Sequence, residues 1–127
     1  MVNVKEGIKN IKEIKVTEKL TAIECGSGDL SVYATPAMIA LMENVSKDCV
    51  LPFLEEGYTT VGISVDVKHI KATPLGMKVK CEALLTKIEG KKLFFQVKAW
   101  DEVGDVGIGT HERYIVEKEG FMNKVKQ

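Results

Sequence analysis

Between residues 35 and 50 the apolar positions fall at Met38, Leu41, Met42, Val45 and Cys49, spacings of three and four that form one stripe along a helix. Thr35 as N-cap and Pro36 at the first helical position set its start, because a capping hydroxyl and a fixed proline φ favour that geometry. Pro52 ends or kinks it. From residue 58 the period becomes two. Val61, Ile63, Val65 and Val67 alternate, as do Met77, Val79, Cys81, Ala83 and Leu85, which predicts strands with one buried face. Glu89-Gly90-Lys91 reads as a hairpin turn leading to Leu93, Phe95, Val97 and Ala99. Gly104-Asp105 reads as another, leading to Val106, Ile108, Thr110, Glu112, Tyr114 and Val116. Residues 11 to 24 hold Ile11, Ile14, Val16, Leu20 and Ile23 in a pattern that suits an edge strand, and the tail from Glu119 suits a short helix or a disordered end.

One long striped helix beside antiparallel strands predicts an α+β domain in which a single sheet curls around the helix and buries its inner face there. At 127 residues, with no linker or repeat, the chain reads as one domain over 1–127. Such a sheet keeps open edges, and edge-to-edge self-association would cover one of them, so a homodimer is expected.

Charge narrows the possible partners. Lys plus Arg number 18 and Asp plus Glu number 18, so nothing marks a polyanion-binding surface and nucleic acid is not expected as a partner. No apolar run reaches the roughly 18 residues of a membrane span, and the charged N-terminus is unlike a leader, so a cytoplasmic protein without membrane contact is expected. Cys25, Cys49 and Cys81 are odd in number and lack a C-x-x-C pair, which argues against zinc, redox chemistry or a disulfide framework. Cys49 and Cys81 fall at apolar positions and read as small core residues. His69 and His111 have no partners at metal-ligand spacing, so no metal or redox cofactor is expected.

Three residues around the helix could carry chemistry. Glu43 lies eight positions after Thr35, on the flank of the apolar stripe beside Ile39 and Val50, a half-buried place for a carboxylate. Partial desolvation there suits a general base or a poorly solvated nucleophile, whereas an i,i+4 ion pair with Lys47 would make it an ordinary surface residue. Thr35 is fully explained by capping, yet the same helix N-terminus offers N–H donors and a positive dipole end to a carbonyl or an oxyanion. His69 ends Thr60-Val61-Gly62-Ile63-Ser64-Val65-Asp66-Val67-Lys68-His69 with the parity of Val61, so unless a bulge intervenes it faces the helix, either as a satisfied core histidine or as a proton carrier. Gly62, mid-strand, marks a bulge or a close backbone approach. His111 and Arg113 share the face opposite Val106, Ile108 and Tyr114, which reads as a solvated strand face rather than a substrate contact. Gly107 and Gly109 form no dinucleotide loop, since no G-x-G-x-x-G joins a strand to a helix.

Taken in order, Ala34-Thr35-Pro36-Ala37-Met38-Ile39-Ala40-Leu41-Met42-Glu43, the segment 59–69, Thr73-Pro74-Leu75-Gly76-Met77, Ala99-Trp100-Asp101 and Gly109-Thr110-His111-Glu112-Arg113 resemble the hotdog-fold thioesterases of the fluoroacetyl-CoA thioesterase-like group. The similarity runs from about residue 12 to 117. It implies a five-stranded antiparallel sheet wrapped around one central helix, a homodimer, and hydrolysis of acyl-coenzyme A thioesters near the dimer interface. Coenzyme A is then part of the substrate, not a cofactor. Thr35, Glu43 and His69 match the family's catalytic triad, Gly62 a glycine whose backbone lies against the acyl group, and Arg113 an arginine close to the site. The fluoroacetyl-specific members close the acyl pocket with phenylalanines just before the helix, where this chain reads Glu24-Cys25-Gly26-Ser27-Gly28-Asp29-Leu30. That departure implies a different or broader acyl group, short or medium in length.

The resulting expectation is a thioesterase in which Glu43 serves as nucleophile or general base, His69 polarises and shuttles protons, and Thr35 orients Glu43 or the bound carbonyl. A non-catalytic acyl-CoA binding protein or sensor would use the same pocket without cleaving. A hydratase-like hotdog enzyme fits less well, because no Asp and His pair occupies one loop.

Overall fold

Five antiparallel strands form one sheet in the computed structural model, which describes residues 3–127. The elements run β1 (Lys9–Lys15), α1 (Ala22–Cys25), α2 (Thr35–Val50), β2 (Tyr58–His69), β3 (Lys78–Glu89), β4 (Lys92–Asp101), β5 (Asp105–Glu117) and α3 (Lys118–Val125). Spatial order is β1-β3-β4-β5-β2, so β1 and β2 are the sheet edges. Helix α2 buries Met38, Leu41, Met42, Val45 and Cys49, as its stripe predicts, together with Ser46 and Val50. Facing it are Val79, Cys81, Ala83 and Leu85 from β3 and Leu93, Phe95, Val97 and Ala99 from β4, all buried. Direct pairs such as Cys81 with Ala99 and Ala83 with Val97 set small residues against each other beneath the helix. This is the α+β architecture that both the period and the resemblance imply.

Four expectations are corrected. The strand expected over residues 11 to 24 is β1 only as far as Lys15, and a 3₁₀ turn and α1 follow. The Thr21 hydroxyl caps α1, and Gly26, at φ +69°, closes it in the left-handed conformation that glycine adopts without a Cβ clash. Thr35 is not the N-cap of α2. Ala34 holds that position and its carbonyl accepts from Met38 N at 3.0 Å, so Thr35 is the first helical residue and its hydroxyl makes no capping bond.

The inward parity expected for Val61 and Ile63 fails because β2 is bulged against β5 between Gly62 and Ser64. Gly62 pairs with the buried Arg113 and Val65 with the buried His111, so Gly62 lies on the helix side before the bulge and Val65, Val67 and His69 after it. Val61 pairs with the exposed Tyr114, and Ile63, the bulged residue, is exposed. His69 therefore faces the helix as expected, but by a different count. The face of β5 is likewise inverted: His111 and Arg113 are buried, while Ile108 and Tyr114 are exposed. Alternation of apolar residues misled here because two inner positions are glycines. A Cβ on Gly107 would meet Met38 Sδ at 2.4 Å, and one on Gly109 would meet Asp66 O at 2.2 Å and Val67 Cα at 2.5 Å. Helix and neighbouring strand lie too close to β5 for side chains there.

Because the atoms crowding Gly109 belong to the β2 backbone, they cannot rotate away. Gly109→Ala should lower unfolding stability by about 1–3 kcal/mol, the range of overpacked cores, read as a lower midpoint in urea. An unchanged midpoint would mean that the two strands are not so closely apposed.

Candidate active site

At the N-terminus of α2, a 2.8 Å hydrogen bond joins Thr35 Oγ1 to His69 Nδ1. The hydroxyl is available for it because Thr35 sits inside the helix instead of capping it. The other ring nitrogen, Nε2, is buried with no hydrogen-bond partner among the described residues. Burial lowers the His69 pKa from its ordinary 6.5, opposed by the Lys71 backbone, so the imidazole is neutral at pH 7. Tyr33 meets this ring edge-on, with centroids 6.2 Å apart and planes at 77°. The Tyr33 hydroxyl is also buried without a partner among the described residues, and burial pushes its pKa upward, followed by a smaller push from Cys81. Tyr33, Thr35 and His69 line a cleft of about 320 Å³ together with Ser27, Val32 and Ala72.

A buried carboxylate sets the position of this end of β2. Asp101, at the end of β4, accepts from Val103 N at 2.8 Å, from Gly104 N at 3.1 Å and from Thr73 Oγ1 at 2.8 Å, and it pairs with Lys71 Nζ. Burial alone would raise its pKa, but these donors outweigh that and hold the carboxyl well below the ordinary 3.8. Lys71 and Thr73 lie in the segment that follows His69, and Thr73 O accepts from Tyr33 N at 2.9 Å. Asp101 thus fastens the β4–β5 turn, the segment after β2 and the residues leading into α2.

Glu43 lies two helical turns from Thr35 and belongs to a second cluster. It is half-buried, and Lys47 does not pair with it but lies 3.4 Å from Asp48 Oδ1. A Cβ on Gly62 would lie 2.9 Å from Glu43 Oε2, 3.3 Å from His111 Cε1 and 3.4 Å from Arg113 Nη1, so the missing side chain leaves a notch into which all three converge. Thr60 orients the arginine, accepting from Nε at 2.7 Å through its hydroxyl and from Nη2 at 2.9 Å through its carbonyl. Burial lowers the Arg113 pKa and the Glu43 charge opposes the shift, which leaves a buried cation facing the helix carboxylate.

The five residues expected at a site therefore fall into two groups. Thr35 meets His69, whereas Glu43 and Arg113 both border the notch at Gly62. No hydrogen bond joins Glu43 to Thr35 or His69 among the described residues, and eight residues of helical rise separate the two ends by about 12 Å. Both groups abut the open edge of β2, between Gly62 and His69. Tyr33, Thr60, Asp101 and His111 were not singled out as site residues from sequence. The odd-numbered parity that His111 and Arg113 share with Gly107 and Gly109 is the signal for one of them; Thr60 and Asp101 lie within stretches that carry the family resemblance, and Tyr33 has no such signal.

Residues 16–119 match the family model described as "FlK: Fluoroacetyl-CoA-specific thioesterase". The chain is 41% identical over 96 residues to a fluoroacetyl-CoA thioesterase of Streptantibioticus cattleyicolor, covering 76% of this chain and 69% of that protein. Among solved structures it is similar to the fluoroacetyl-CoA thioesterase FlK, at 32% identity and a TM-score of 0.93 over 98% of this chain and 97% of that one. It is also similar to the Thermus thermophilus protein TTHA0967, a thioesterase superfamily member, at 33% identity and a TM-score of 0.89 over 99% and 96% of the two chains.

A carboxyl held below its unfolded pKa stabilises the fold above that value, and the contribution is lost as pH falls toward the folded value. Asp101→Asn should therefore be less stable than the parent at pH 7, with the gap closing as pH drops below about 4, followed by urea denaturation across pH. A gap that does not change with pH would exclude an ionised Asp101 as the source.

Proposed function

The chain belongs to the fluoroacetyl-CoA-specific thioesterase family, and from that premise we propose that it hydrolyses a short or medium acyl-CoA thioester at the Glu43 notch. As a member it is a thioester hydrolase. Water is added across the acyl carbon–sulfur bond, giving the free acid and the coenzyme A thiol. The observation that carries the proposed site is the placement of Glu43: a half-buried carboxylate, not paired with the nearby Lys47, with Oε2 at an opening made by a glycine. Glu43 acts there either as nucleophile on the acyl carbon or as the base that takes a proton from water, and both roles need the carboxylate in this one place. Arg113 Nη1 borders the same opening and suits a developing negative charge on the acyl oxygen. Thr35 holds His69 by Nδ1, so that Nε2 is the nitrogen left to polarise the substrate or carry a proton.

Edge pairing of two copies would join the two groups of residues. Along β2 the apolar Ile63 and Val65 are 50% and 39% exposed, on an edge strand that pairs with β5 alone among the described residues. Antiparallel pairing of β2 with its own copy, centred near Val65, sets the Gly62 end of one strand beside the His69 end of the other. Glu43 of one protomer then approaches Thr35 and His69 of its partner, and the homodimer becomes the active form. A wider acyl group than fluoroacetyl is favoured by the segment before α2, which contributes Ala22, Ser27 and Val32 to the cleft and no phenylalanine.

Release of coenzyme A thiol from a panel of acyl-CoA esters is the direct test. Glu43→Ala should lose at least about a hundredfold in turnover while remaining folded, within the range for loss of a positioned acid–base group. Near-normal turnover in that variant would sink the assignment, and tight acyl-CoA binding by the parent without thiol release would mark a binding protein instead. Sedimentation should give twice the 14.0 kDa chain mass, and a charged replacement such as Ile63→Lys should shift it toward one. A monomer with full activity would contradict the paired site.

A further inference from the structure

The imidazole of His111 is buried (1% exposed) and both its nitrogens are engaged: Nδ1 with Ser64 O at 2.8 Å and Nε2 with Arg113 Nη1 at 3.2 Å. A carbonyl only accepts and a guanidinium only donates, so Nδ1 carries the proton and Nε2 is bare. The ring is flanked by Phe95, with centroids 6.3 Å apart and planes at 29°. Thr60 takes Nε and one Nη2 proton of Arg113, and His111 takes one Nη1 proton, which leaves the second Nη1 proton beside the notch at Gly62.

We propose that His111 is a positioning residue for hydrolysis: a neutral acceptor that fixes the Arg113 guanidinium without cancelling its charge, so that its remaining Nη1 proton faces the Gly62 notch beside Glu43. This rests on the reading of Glu43 and Arg113 given above. The choice of residue type has a physical reason. An Asp or Glu in this place would satisfy the same donor but neutralise the cation, leaving less positive potential for an acyl oxygen. An aliphatic residue would leave a buried N–H unpaired. A neutral imidazole does neither. Burial lowers the His111 pKa and the Arg113 charge lowers it further, against the Ser64 carbonyl, Glu43 and Glu112, so the ring stays neutral at pH 7. By bonding Ser64, the residue after the bulge, His111 also ties the arginine to the strand that forms the notch.

Thiol-release kinetics on the full chain test this with His111→Gln, whose amide oxygen can reach the position of Nε2, and His111→Asn, which keeps only the donor to Ser64. Gln should hold kcat within about threefold of the parent and Asn should lower it about tenfold or more, a coupling of ordinary size for groups in contact. In an Arg113→Met background the Asn change should have less than about a twofold further effect, because the group it acts through is gone. A variant Asn equal to or better than Gln, or effects that simply multiply in the double variant, would overturn the proposal, as would parent-level turnover in Arg113→Met. Nitrogen-resolved NMR of the parent gives a readout independent of activity: a protonated Nδ1 with a bare Nε2 is expected at pH 7, and a proton on Nε2 refutes the arrangement. Absence of thiol release from the parent would instead be a failure of the thioesterase reading itself.

Discussion

Strand β2 carries one more residue between Gly62 and Ser64 than β5 pairs with, and that residue sets which side chains meet beneath the helix. Side chains on a strand alternate strictly, so positions 62 and 69 would point to opposite faces of an unbulged β2. With Ile63 looped out, Gly62 and His69 both turn toward α2, one against Glu43 and the other against Thr35. Both ends of the proposed site depend on that single shift in register. The bulge sits on an edge strand, where re-aiming side chains disturbs pairing on one side only.

Around this strand the interior holds several polar side chains. Thr60, Asp101, His111 and Arg113 are all buried, and each has hydrogen-bond partners in the fold. A buried polar group without partners costs several kcal/mol, so these residues fix a geometry that apolar packing would leave looser. Asp101 and Arg113 do so in opposite ways. The Asp101 charge is met by Lys71 and three neutral donors, which makes it an anchor. The Arg113 charge is met by neutral acceptors, with Glu43 facing it across the notch, which leaves its field directed at the proposed reaction centre.

Much of the fold was legible because its signals are local. The stripe of α2, the inner rows of β3 and β4 and the two hairpin turns rest on spacing within about a dozen residues, and the structure follows them. The faces of β2 and β5 were not legible on the same terms. Gly62 signals a bulge or a close backbone approach without deciding between them, so the change of parity after it is not read from the sequence, and the inner row of β5 begins with glycines and continues with His111 and Arg113, so the apolar residues there mark the outer face. Thr35 at a helix start has the signature of a cap; only the histidine arriving from β2 shows that its hydroxyl is engaged elsewhere.

The sequence by itself determined an α+β domain with one long helix, the family and the residue types of a candidate site, since periodicity, turn chemistry and ordered motifs are all written in short stretches of chain. The tertiary structure decided which of those residues touch. It separated Glu43 from the Thr35–His69 pair, set Arg113 and His111 in the interior beside Glu43, and made Asp101 the anchor of the segment after β2. Those pairings join residues far apart in the chain, through strand register and helix position, and neither is encoded by any one of the segments that meet.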